Sequence, residues 1–398
     1  MSVQPREILN QSIISAGESA QKPIRLLHVV ENLGHQAVEN WLFRVFFAAS
    51  HDYPDFRWTF FCVLGRSGMR DDEARSLGAE VIHSQYELAD KRRFLLGLRE
   101  VMKRGQYDIL HCHHDIMSAA YLAASAGLPF RKRIVHLHNT SLGLPTPSRL
   151  KADLAREPMR QVCLRMADQI VGISKDALES LLRNREQDPL RHQVVHYAVD
   201  TARFAVARPD RAEFRRALGL DPATRILLFV GRLVEYKKPC FVVEMLEHLA
   251  GAGENVAVLF AGTGDQEERL REKAREKGLE HRVRLLGFRD DVPELMLASD
   301  LLVWPSLEEP KEGLGLGIVE AQAAGLPILM SRSVPAEAVV VAELVRVLPL
   351  SSGAQTWANA ALAHMNRPRP GFKESLSRVE SSSFSMAQGV ANLMALYG

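Results

Sequence analysis

Positions 225–239 read Arg-Ile-Leu-Leu-Phe-Val-Gly-Arg-Leu-Val-Glu-Tyr-Lys-Lys-Pro and contain the clearest fold signal of the chain. The unbroken apolar run at 226–230, which follows Arg225, is typical of a strand that is buried on both faces. One glycine turn separates that run from the helical apolar spacing of 239–250. The stretch therefore predicts a strand followed by a covering helix, which is the unit of a parallel sheet.

The same alternation extends in both directions along the chain. Further strands are predicted at 24–30, 58–64, 81–83, 109–111, 134–137, 169–173, 194–195, 256–260, 283–286, 301–304 and 327–330. Helices are predicted at 38–49, 71–77, 92–104, 116–125, 148–167, 175–183, 266–277, 291–298, 316–324 and 384–397. The fold class is therefore α/β, with two doubly wound, Rossmann-like domains and a ligand site in the cleft between them.

The domain boundaries follow from interruptions of this pattern. The alternation breaks near 200–221, where Pro209 and Pro222 lie. We predict a loose N-terminal extension at 1–22 and an acceptor-binding domain at 23–203. A donor-binding domain then occupies 204–380, with a Pro- and Arg-rich loop at 366–373. The last segment, 381–398, is predicted to be a helix that crosses back to the N-terminal domain.

Composition excludes several classes of protein. The 398 residues are 46% hydrophobic and 25% charged, with a net charge of +2, so a strongly basic nucleic-acid binder is excluded. No apolar run approaches the roughly 18 residues of a membrane span, and the first 22 residues lack a signal-peptide core. The four cysteines form no CxxC pair. We therefore expect a reducing, cytoplasmic location.

The segment Glu312-Gly-Leu-Gly-Leu-Gly-Ile-Val-Glu320 carries the strongest functional signal. It places a carboxylate on each side of a glycine-rich turn that opens into a helix. The amides at a helix start attract phosphate, and carboxylates accept hydrogen bonds from sugar hydroxyls. This combination predicts a nucleotide-sugar ligand.

Three other strand-end loops of the second half are candidate donor contacts. Gly231, Arg232 and Lys237 follow the first strand, where the two cations can neutralise a diphosphate or simply form a solvated basic turn. The turn with Gly262 and Gly264 is a weak signal, because many such turns serve geometry alone, and Asp265 is expected to cap the next helix. The loop with Phe288 and Arg289 contacts a nucleobase, unless Asp290 or Asp291 merely caps a helix.

The order and spacing of these motifs resemble a known family. Gly231-Arg232-x4-Lys237, Gly262-Thr-Gly264, and Glu312-x7-Glu320 followed by Ala-x-Ala-Ala-Gly-Leu-Pro are similar to the retaining GT-B glycosyltransferases of family 4, the group 1 transferases. The segment from Val334 to Ala338 looks like the branch that acts in exopolysaccharide and capsule synthesis. The resemblance covers roughly residues 24–398.

The resemblance implies roles for the donor-domain residues. Glu312 would hold a hydroxyl of the donor sugar, and Glu320 would hold the ribose hydroxyls. Arg232 and Lys237 would stabilise the leaving diphosphate, so that neither a metal ion nor a cofactor is needed. The phosphates would meet the turn formed by Gly313, Leu314, Gly315, Leu316 and Gly317.

In the first domain the resemblance points to three strand-end loops. His113 lies where relatives have a histidine facing the donor sugar, and His138 and Asn139 match a cleft-facing loop. Gly34 stands in a loop where relatives carry two adjacent glycines, so this loop differs from theirs. His111 is more typical of a core residue. No carboxylate lies at ligand spacing from these histidines, so we expect no metal site.

The predicted function is that of a retaining, metal-independent hexosyl- or N-acetylhexosaminyltransferase. It would use a nucleoside-diphosphate sugar and a saccharide or lipid-linked acceptor in cell-surface polysaccharide or glycolipid synthesis. Basic clusters at 91–93, 103–104 and 131–133 would contact anionic lipid, unless they are solvated helix ends.

Two alternatives and one question of register remain open at this stage. The alternatives are a nucleotide-sugar epimerase of the same architecture and a non-catalytic nucleotide-sugar-binding relative. The altered 34–39 loop is the only support for the second. An extra Glu309-Pro310-Lys311 before Glu312 is expected to bulge at the cleft rim, where Glu308 or Glu309 competes for the sugar-binding role.

Overall fold

The computed structural model describes residues 22–34, 36–143, 149–206 and 210–398. The predicted extension lies outside this range except for Lys22, and so does His35 of the altered loop. Within the described residues, no helix combines the length and the apolar character that a membrane crossing requires.

The first half forms a seven-stranded, all-parallel sheet in the order β3-β2-β1-β4-β5-β6-β7. Its strands are β1 (Ile24–Val30), β2 (Phe56–Cys62), β3 (Glu80–His83), β4 (Ile109–Cys112), β5 (Lys132–Leu137), β6 (Gln169–Gly172) and β7 (His192–Val194).

The second half forms a six-stranded, all-parallel sheet in the order β10-β9-β8-β11-β12-β13. Its strands are β8 (Arg225–Val230), β9 (Val256–Ala261), β10 (Val283–Gly287), β11 (Leu301–Trp304), β12 (Ile328–Met330) and β13 (Val345–Val347). The two sheets confirm the predicted pair of doubly wound domains.

Helices cover both sheets. They are α1 (Ala37–Asp52), α2 (Asp71–Ser76), α3 (Lys91–Gly105), α4 (Ser118–Ala124), α5 (Arg149–Met166), α6 (Lys175–Leu182), α7 (Ala202–Val206), α8 (Arg211–Ala217), α9 (Pro239–Gly251), α10 (Glu267–Glu276), α11 (Val292–Ala298), α12 (Leu316–Ala323), α13 (Gly353–Met365), α14 (Phe372–Glu380) and α15 (Met386–Ala395). Short 3-10 segments lie at Asp115–Met117, Glu235–Lys237, Glu280–Arg282, Ala336–Ala338, Ala342–Leu344 and Leu350–Ser352.

The structure corrects three local predictions. Strand β13 and helices α7, α8, α13 and α14 were not predicted, and the predicted loop at 366–373 ends earlier because α14 begins at Phe372. The small residues of α13 give a weak apolar pattern, and the helix packs against α9 through the buried Trp357. Asp265 does not cap α10, since that helix begins at Glu267, whose side chain accepts a hydrogen bond from the Gly264 amide.

The end of the chain packs on the first sheet. Helix α15 contacts α1, and the Lys132 ammonium donates to the Leu396 carbonyl across 2.7 Å. Tyr397 is 1% exposed. The Val199 amide also donates to the Phe384 carbonyl, so the segment that leaves the first sheet is bonded to the segment that returns to it.

Loops at the carboxyl ends of the two sheets face each other. The loop after β11 contacts the loops after β5 and β6. Parallel sheets bind their ligands at this edge, because the strand ends and the helix starts converge there. Two candidate residues, Gly313 and His138, are in direct contact along this line.

Candidate functional site

A half-buried ion pair lies at the centre of the cleft. Lys237 ends a 3-10 turn after β8, and its ammonium is 2.9 Å from the carboxylate of Glu312, in the loop after β11. Each side chain is 11% exposed. Ser306 donates to the same carboxylate oxygen over 2.6 Å, and the ammonium lies 4.4 Å from the Trp304 ring centre. The two charges are thus held in a fixed position with little water around them.

This arrangement bears on the question of which glutamate faces the site. Glu312 contacts Lys237. Glu308 instead accepts a hydrogen bond from the Leu350 amide. A carboxylate can accept hydrogen bonds from a ligand hydroxyl, and of these two glutamates Glu312 is the one beside Lys237.

The glycine-rich turn places a helix start beside this pair. Gly315 has a φ of 78° and precedes α12, whose first amides have no partner within the helix. A side chain at Gly313 would place its Cβ 2.2 Å from the His138 carbonyl oxygen, so only glycine fits there. Leu314 is 2% exposed and packs into the core. Leu316 and Gly317 form the first turn of α12.

Two of the other glycine turns have a structural explanation. A Cβ on Gly262 would lie 2.0 Å from the carbonyl oxygen of Gly231, and a Cβ on Gly264 would lie 2.1 Å from that of Leu233. The loops after β8 and β9 therefore pack backbone against backbone. This contact accounts for the glycines at 262 and 264 without a ligand.

The arginines of the second half are bound locally. Arg232 donates to the Tyr236 hydroxyl over 3.0 Å. Arg289 donates to both carboxylate oxygens of Asp291 over 2.7 and 2.5 Å, and this pairing raises the pKa of Arg289 above its usual value. Phe288 is 53% exposed on the same loop. An anionic ligand would have to recruit either guanidinium from its present partner.

Glu320 faces the first domain from the second turn of α12. Its carboxylate is 3.7 Å from the guanidinium of Arg44, which lies on α1. Burial raises the pKa of Glu320, and the charge of Arg44 opposes this shift. The residue predicted to hold ribose is therefore paired across the cleft with Arg44.

Five histidines form a hydrogen-bonded chain on one face of the first sheet. His28 Nδ1 meets His113 Nε2 at 3.1 Å, and His113 Nδ1 meets His138 Nε2 at 3.2 Å. His111 Nε2 meets His136 Nδ1 at 3.2 Å. The Tyr397 hydroxyl joins the two rows, at 2.9 Å from His111 and 3.4 Å from His28, and the Tyr197 hydroxyl ends the first row at 2.6 Å from His138.

Burial determines the charge state of these five histidine rings. Burial lowers the pKa of His28 and of His136 to about 3. Burial also lowers the pKa values of His111, His113 and His138 well below the usual range. All five are therefore neutral at physiological pH. Both ring nitrogens of His113 are bonded to other histidines, so a sugar hydroxyl would have to displace one of them.

The neighbouring loop residues are held by Asp115. Its carboxylate accepts from the backbone amides of His138 and Asn139, at 2.6 and 3.2 Å, and from the Asn139 side chain at 2.7 Å. Gly34 lies in the loop after β1, beside Asn32. Asn139 is exposed, so it remains accessible at the cleft rim.

Direct contacts close the cleft on this side. Ser174 donates to the Gly313 carbonyl over 2.6 Å, and Thr140 donates to the Lys311 carbonyl over 2.5 Å. The Lys311 ammonium lies 3.1 Å from Asp176. The segment before Glu312 thus bulges across the rim, where Lys311 touches the loop after β5 and the first turn of α6.

Sequence reasoning missed several of these residues. Ser306, Ser174, Arg44 and Asp115 each contact a candidate residue, and Tyr397 joins the histidine rows. Ser174 had a detectable signal, because its side chain caps α6. The others carry no local pattern, since their partners are distant in sequence.

Comparison with known proteins identifies matches along most of the chain. The family model described as "Glycosyl transferases group 1" matches residues 210–365, and the one described as "Glycosyltransferase Family 4" matches residues 54–203. The chain is 28% identical over 386 residues to EpsF of Bacillus subtilis (strain 168), whose name places it among glycosyltransferases. That alignment covers 95% of this chain and 97% of EpsF.

Two further comparisons concern a named enzyme and a solved structure. The chain is 26% identical over 266 residues to the Escherichia coli UDP-Gal:alpha-D-GlcNAc-diphosphoundecaprenol alpha-1,3-galactosyltransferase, covering 66% of this chain and 67% of that protein. The crystal structure of Anabaena HepE in complex with UDP superposes with a TM-score of 0.75 at 18% identity. It covers 94% of this chain and 99% of HepE.

Proposed function

We propose that this chain, which belongs to the group 1 and family 4 glycosyltransferases, transfers a hexosyl or N-acetylhexosaminyl group. The group passes from a nucleoside-diphosphate sugar to an acceptor hydroxyl, and the configuration at the anomeric carbon is retained. The Lys237–Glu312 pair beside the start of α12 carries the proposal. It offers a cation for the leaving diphosphate, a carboxylate for the sugar and free amides for phosphate within one cleft.

The proposed reaction occurs on one face of the sugar. The acceptor oxygen bonds to the anomeric carbon while the bond from that carbon to the diphosphate oxygen breaks. The acceptor proton passes to the leaving diphosphate, so no side-chain general base is required. Because the acceptor attacks on the face from which the diphosphate departs, no side-chain nucleophile is required either. Lys237 and Arg232 stabilise the negative charge that develops on the diphosphate, which is the work a divalent metal does elsewhere.

The remaining site residues have supporting roles in this proposal. Glu312 orients a donor-sugar hydroxyl, Glu320 binds ribose after release from Arg44, and the turn 313–317 binds phosphate. The loop of Phe288 and Arg289 borders the nucleobase, and the glycines at 231, 262 and 264 shape the floor beneath it. His113 fixes the position of His138, which lies with Asn139 and Gly34 on the acceptor side.

The acceptor is proposed to be a saccharide or a lipid-linked saccharide, because the Escherichia coli relative is named for a diphosphoundecaprenol-linked acceptor. We assign acceptor binding to 23–203 and donor binding to 204–380, with 381–398 returning to the first domain. All four cysteines are free, which suits the reducing cytoplasm. Lys132 and Arg133 are bonded internally, so peripheral lipid contact would rest on residues 91–93 and 103–104, at the two ends of α3.

A thermal-shift panel of UDP-, GDP-, ADP- and dTDP-sugars tests donor binding. A donor that binds only the native state raises the melting temperature, by an amount set by its concentration relative to Kd. The active donor is then given with candidate saccharide acceptors, and the anomeric coupling constant in the product reports retention or inversion. An inverted product would refute the proposed stereochemistry.

Product analysis with the same sugar nucleotides, with and without an acceptor, separates the two alternatives. An epimerase converts the sugar nucleotide when no acceptor is present, whereas a transferase leaves the sugar configuration unchanged. A non-catalytic relative binds the donor and forms no product with any acceptor. The Glu312→Ala variant is the control for any product observed, because it should remain folded and inactive.

A further inference from the structure

Three potential metal ligands from separate elements meet beneath the loop that follows β1. They are Cys62 at the end of β2, Asp71 at the start of α2 and His83 at the end of β3. One ligand atom of each lies within 4.8 Å of the other two. Cys62 is fully buried, the Asp71 side chain is 5% exposed, and the His83 side chain is 24% exposed. An ion could therefore enter past His83.

The contact between His83 and Asp71 is not a hydrogen bond. His83 Nε2 and Asp71 Oδ2 are 2.7 Å apart, yet Nε2 has no hydrogen-bond partner among the described residues. Asp71 Oδ1 is also buried without a partner there. An unsatisfied buried polar atom costs about 1–3 kcal/mol, so two such atoms side by side require an explanation. A metal ion bound by both His83 Nε2 and Asp71 Oδ1 would give each of these atoms a partner.

The carboxylate is also held as a metal ligand usually is. The Gly68 amide donates to Asp71 Oδ2 over 3.1 Å, which fixes the orientation of the group and leaves Oδ1 available. Hydrogen bonds to a ligating carboxylate orient it toward the ion and increase affinity. The three residues thus resemble a formed site more closely than a surface ion pair.

The five-histidine chain is the competing place for a metal, and its geometry argues against one. Its ring nitrogens are aligned in pairs at 3.1 and 3.2 Å, so their lone pairs and N–H groups are already used on each other. Among the buried ring nitrogens of these five histidines, only His136 Nε2 has no hydrogen-bond partner within the described residues. One free nitrogen does not make a coordination site.

We propose that Cys62, Asp71 and His83 bind a zinc ion. Sulfur, imidazole and carboxylate ligands in a tetrahedral arrangement suit zinc, whereas calcium and magnesium prefer oxygen ligands only. Water occupies the fourth position. Binding forms a zinc–sulfur bond and releases the thiol proton of Cys62 to solvent, so charge and protons balance.

The ion would stabilise the loop that contains Gly34. The Arg70 amide donates to the Leu33 carbonyl over 3.1 Å, and a Cβ on Gly68 would lie 2.6 Å from the Leu33 backbone. Segment 68–71 is therefore packed directly against Leu33. Because Asp71 ends that segment, zinc would tie it to β2 and β3 and hold the neighbouring loop in place. This role is structural and separate from the chemistry at Lys237.

Cobalt provides a direct test on the purified full-length chain after removal of bound metal with a chelator. One equivalent of Co²⁺ should produce a thiolate-to-cobalt charge-transfer band, and zinc should abolish it by displacement. Cys62→Ser should remove the band, and His83→Gln should weaken cobalt binding by at least about 100-fold. The matched control is Cys163→Ser, which removes another buried thiol and should leave the band unchanged.

Thermal melting supplies a second measurement that does not depend on the thiolate band. Zinc should raise the melting temperature of the wild-type chain and leave that of His83→Gln unchanged. Three results would overturn the proposal: no charge-transfer band in the wild type, a band that survives Cys62→Ser, or cobalt bound with nitrogen-only spectra. The last result would place the metal in the histidine chain instead.

Discussion

At the scale of single residues, the site depends on partners that are far apart in sequence. Lys237 and Glu312 are 75 positions apart, and each neutralises a charge that the other would otherwise leave in a water-poor cleft. Removing one member of such a pair leaves the other uncompensated, which is more damaging than losing a surface ion pair. The pair is therefore both a stability element and the proposed chemical centre.

Lys237→Ala should lower kcat roughly 100- to 1000-fold, because it removes a cation aimed at the leaving diphosphate. The measurement is product formation at saturating donor, with circular dichroism to verify the fold. Lys277→Ala is the matched control, since Lys277 pairs with Glu247 on the surface. Near-normal turnover by Lys237→Ala would contradict the assigned role.

At the scale of elements, β1, β4 and β5 contribute their histidines to one sheet face, and the chain end closes it. The Tyr397 hydroxyl bonds to both His111 and His28. Each neutral imidazole has one donor and one acceptor, so an unbranched chain satisfies nearly all of them without charge. This explains how five polar rings lie in an otherwise apolar core.

Acid should destabilise the protein through this chain. Above about pH 7 the histidines are neutral in both the folded and the unfolded state, and they add no pH dependence. Below about pH 6.5 the unfolded chain binds protons that the buried rings, such as His28 with a pKa of about 3, do not. Stability should therefore fall with decreasing pH, by up to about 1.4 kcal/mol per pH unit for each ring. Urea denaturation between pH 7.5 and about 5 measures this slope.

Tyr397→Phe should lower the free energy of unfolding by about 1–3 kcal/mol, because it leaves buried nitrogens of His111 and His28 without a partner. The same urea series measures the loss. Tyr86→Phe serves as control, since Tyr86 is 39% exposed and lies outside the chain of histidines. Equal stability of the two variants would show that the Tyr397 hydroxyl does not join the rows.

At the scale of the whole molecule, the two sheets meet through backbone contacts at the cleft. Gly313 has no room for a side chain because the His138 carbonyl lies against it, and Ser174 donates to the Gly313 carbonyl. The glycine-rich turn at 313–317 is thus packed against the loops of the first sheet that contain His138 and Ser174.

Gly313→Val should hold the two domains further apart, because its side chain cannot fit against His138. Small-angle X-ray scattering should show a larger radius of gyration than in the wild type. Gly371→Val is the control, since a Cβ there would meet nothing within 4 Å. Identical scattering from all three proteins would mean that the closed contact does not persist in solution.

The two parallel sheets and the family were predictable from the sequence alone. The segment from Glu312 to Glu320 could also be singled out as a candidate site from the sequence alone. Buried strands, glycine turns and helix spacing are local patterns, so they are visible along the chain. Helix α13 was not predicted, because its small residues give little apolar periodicity.

The contacts between side chains that are distant in sequence became visible in the tertiary structure. It paired Lys237 with Glu312, set Arg44 against Glu320, joined five histidines through the last tyrosine, and brought Cys62, Asp71 and His83 together from three elements. These contacts arise from the order of the strands in each sheet and from the packing of one domain against the other. The spacing of neighbouring residues along the sequence specifies neither of these.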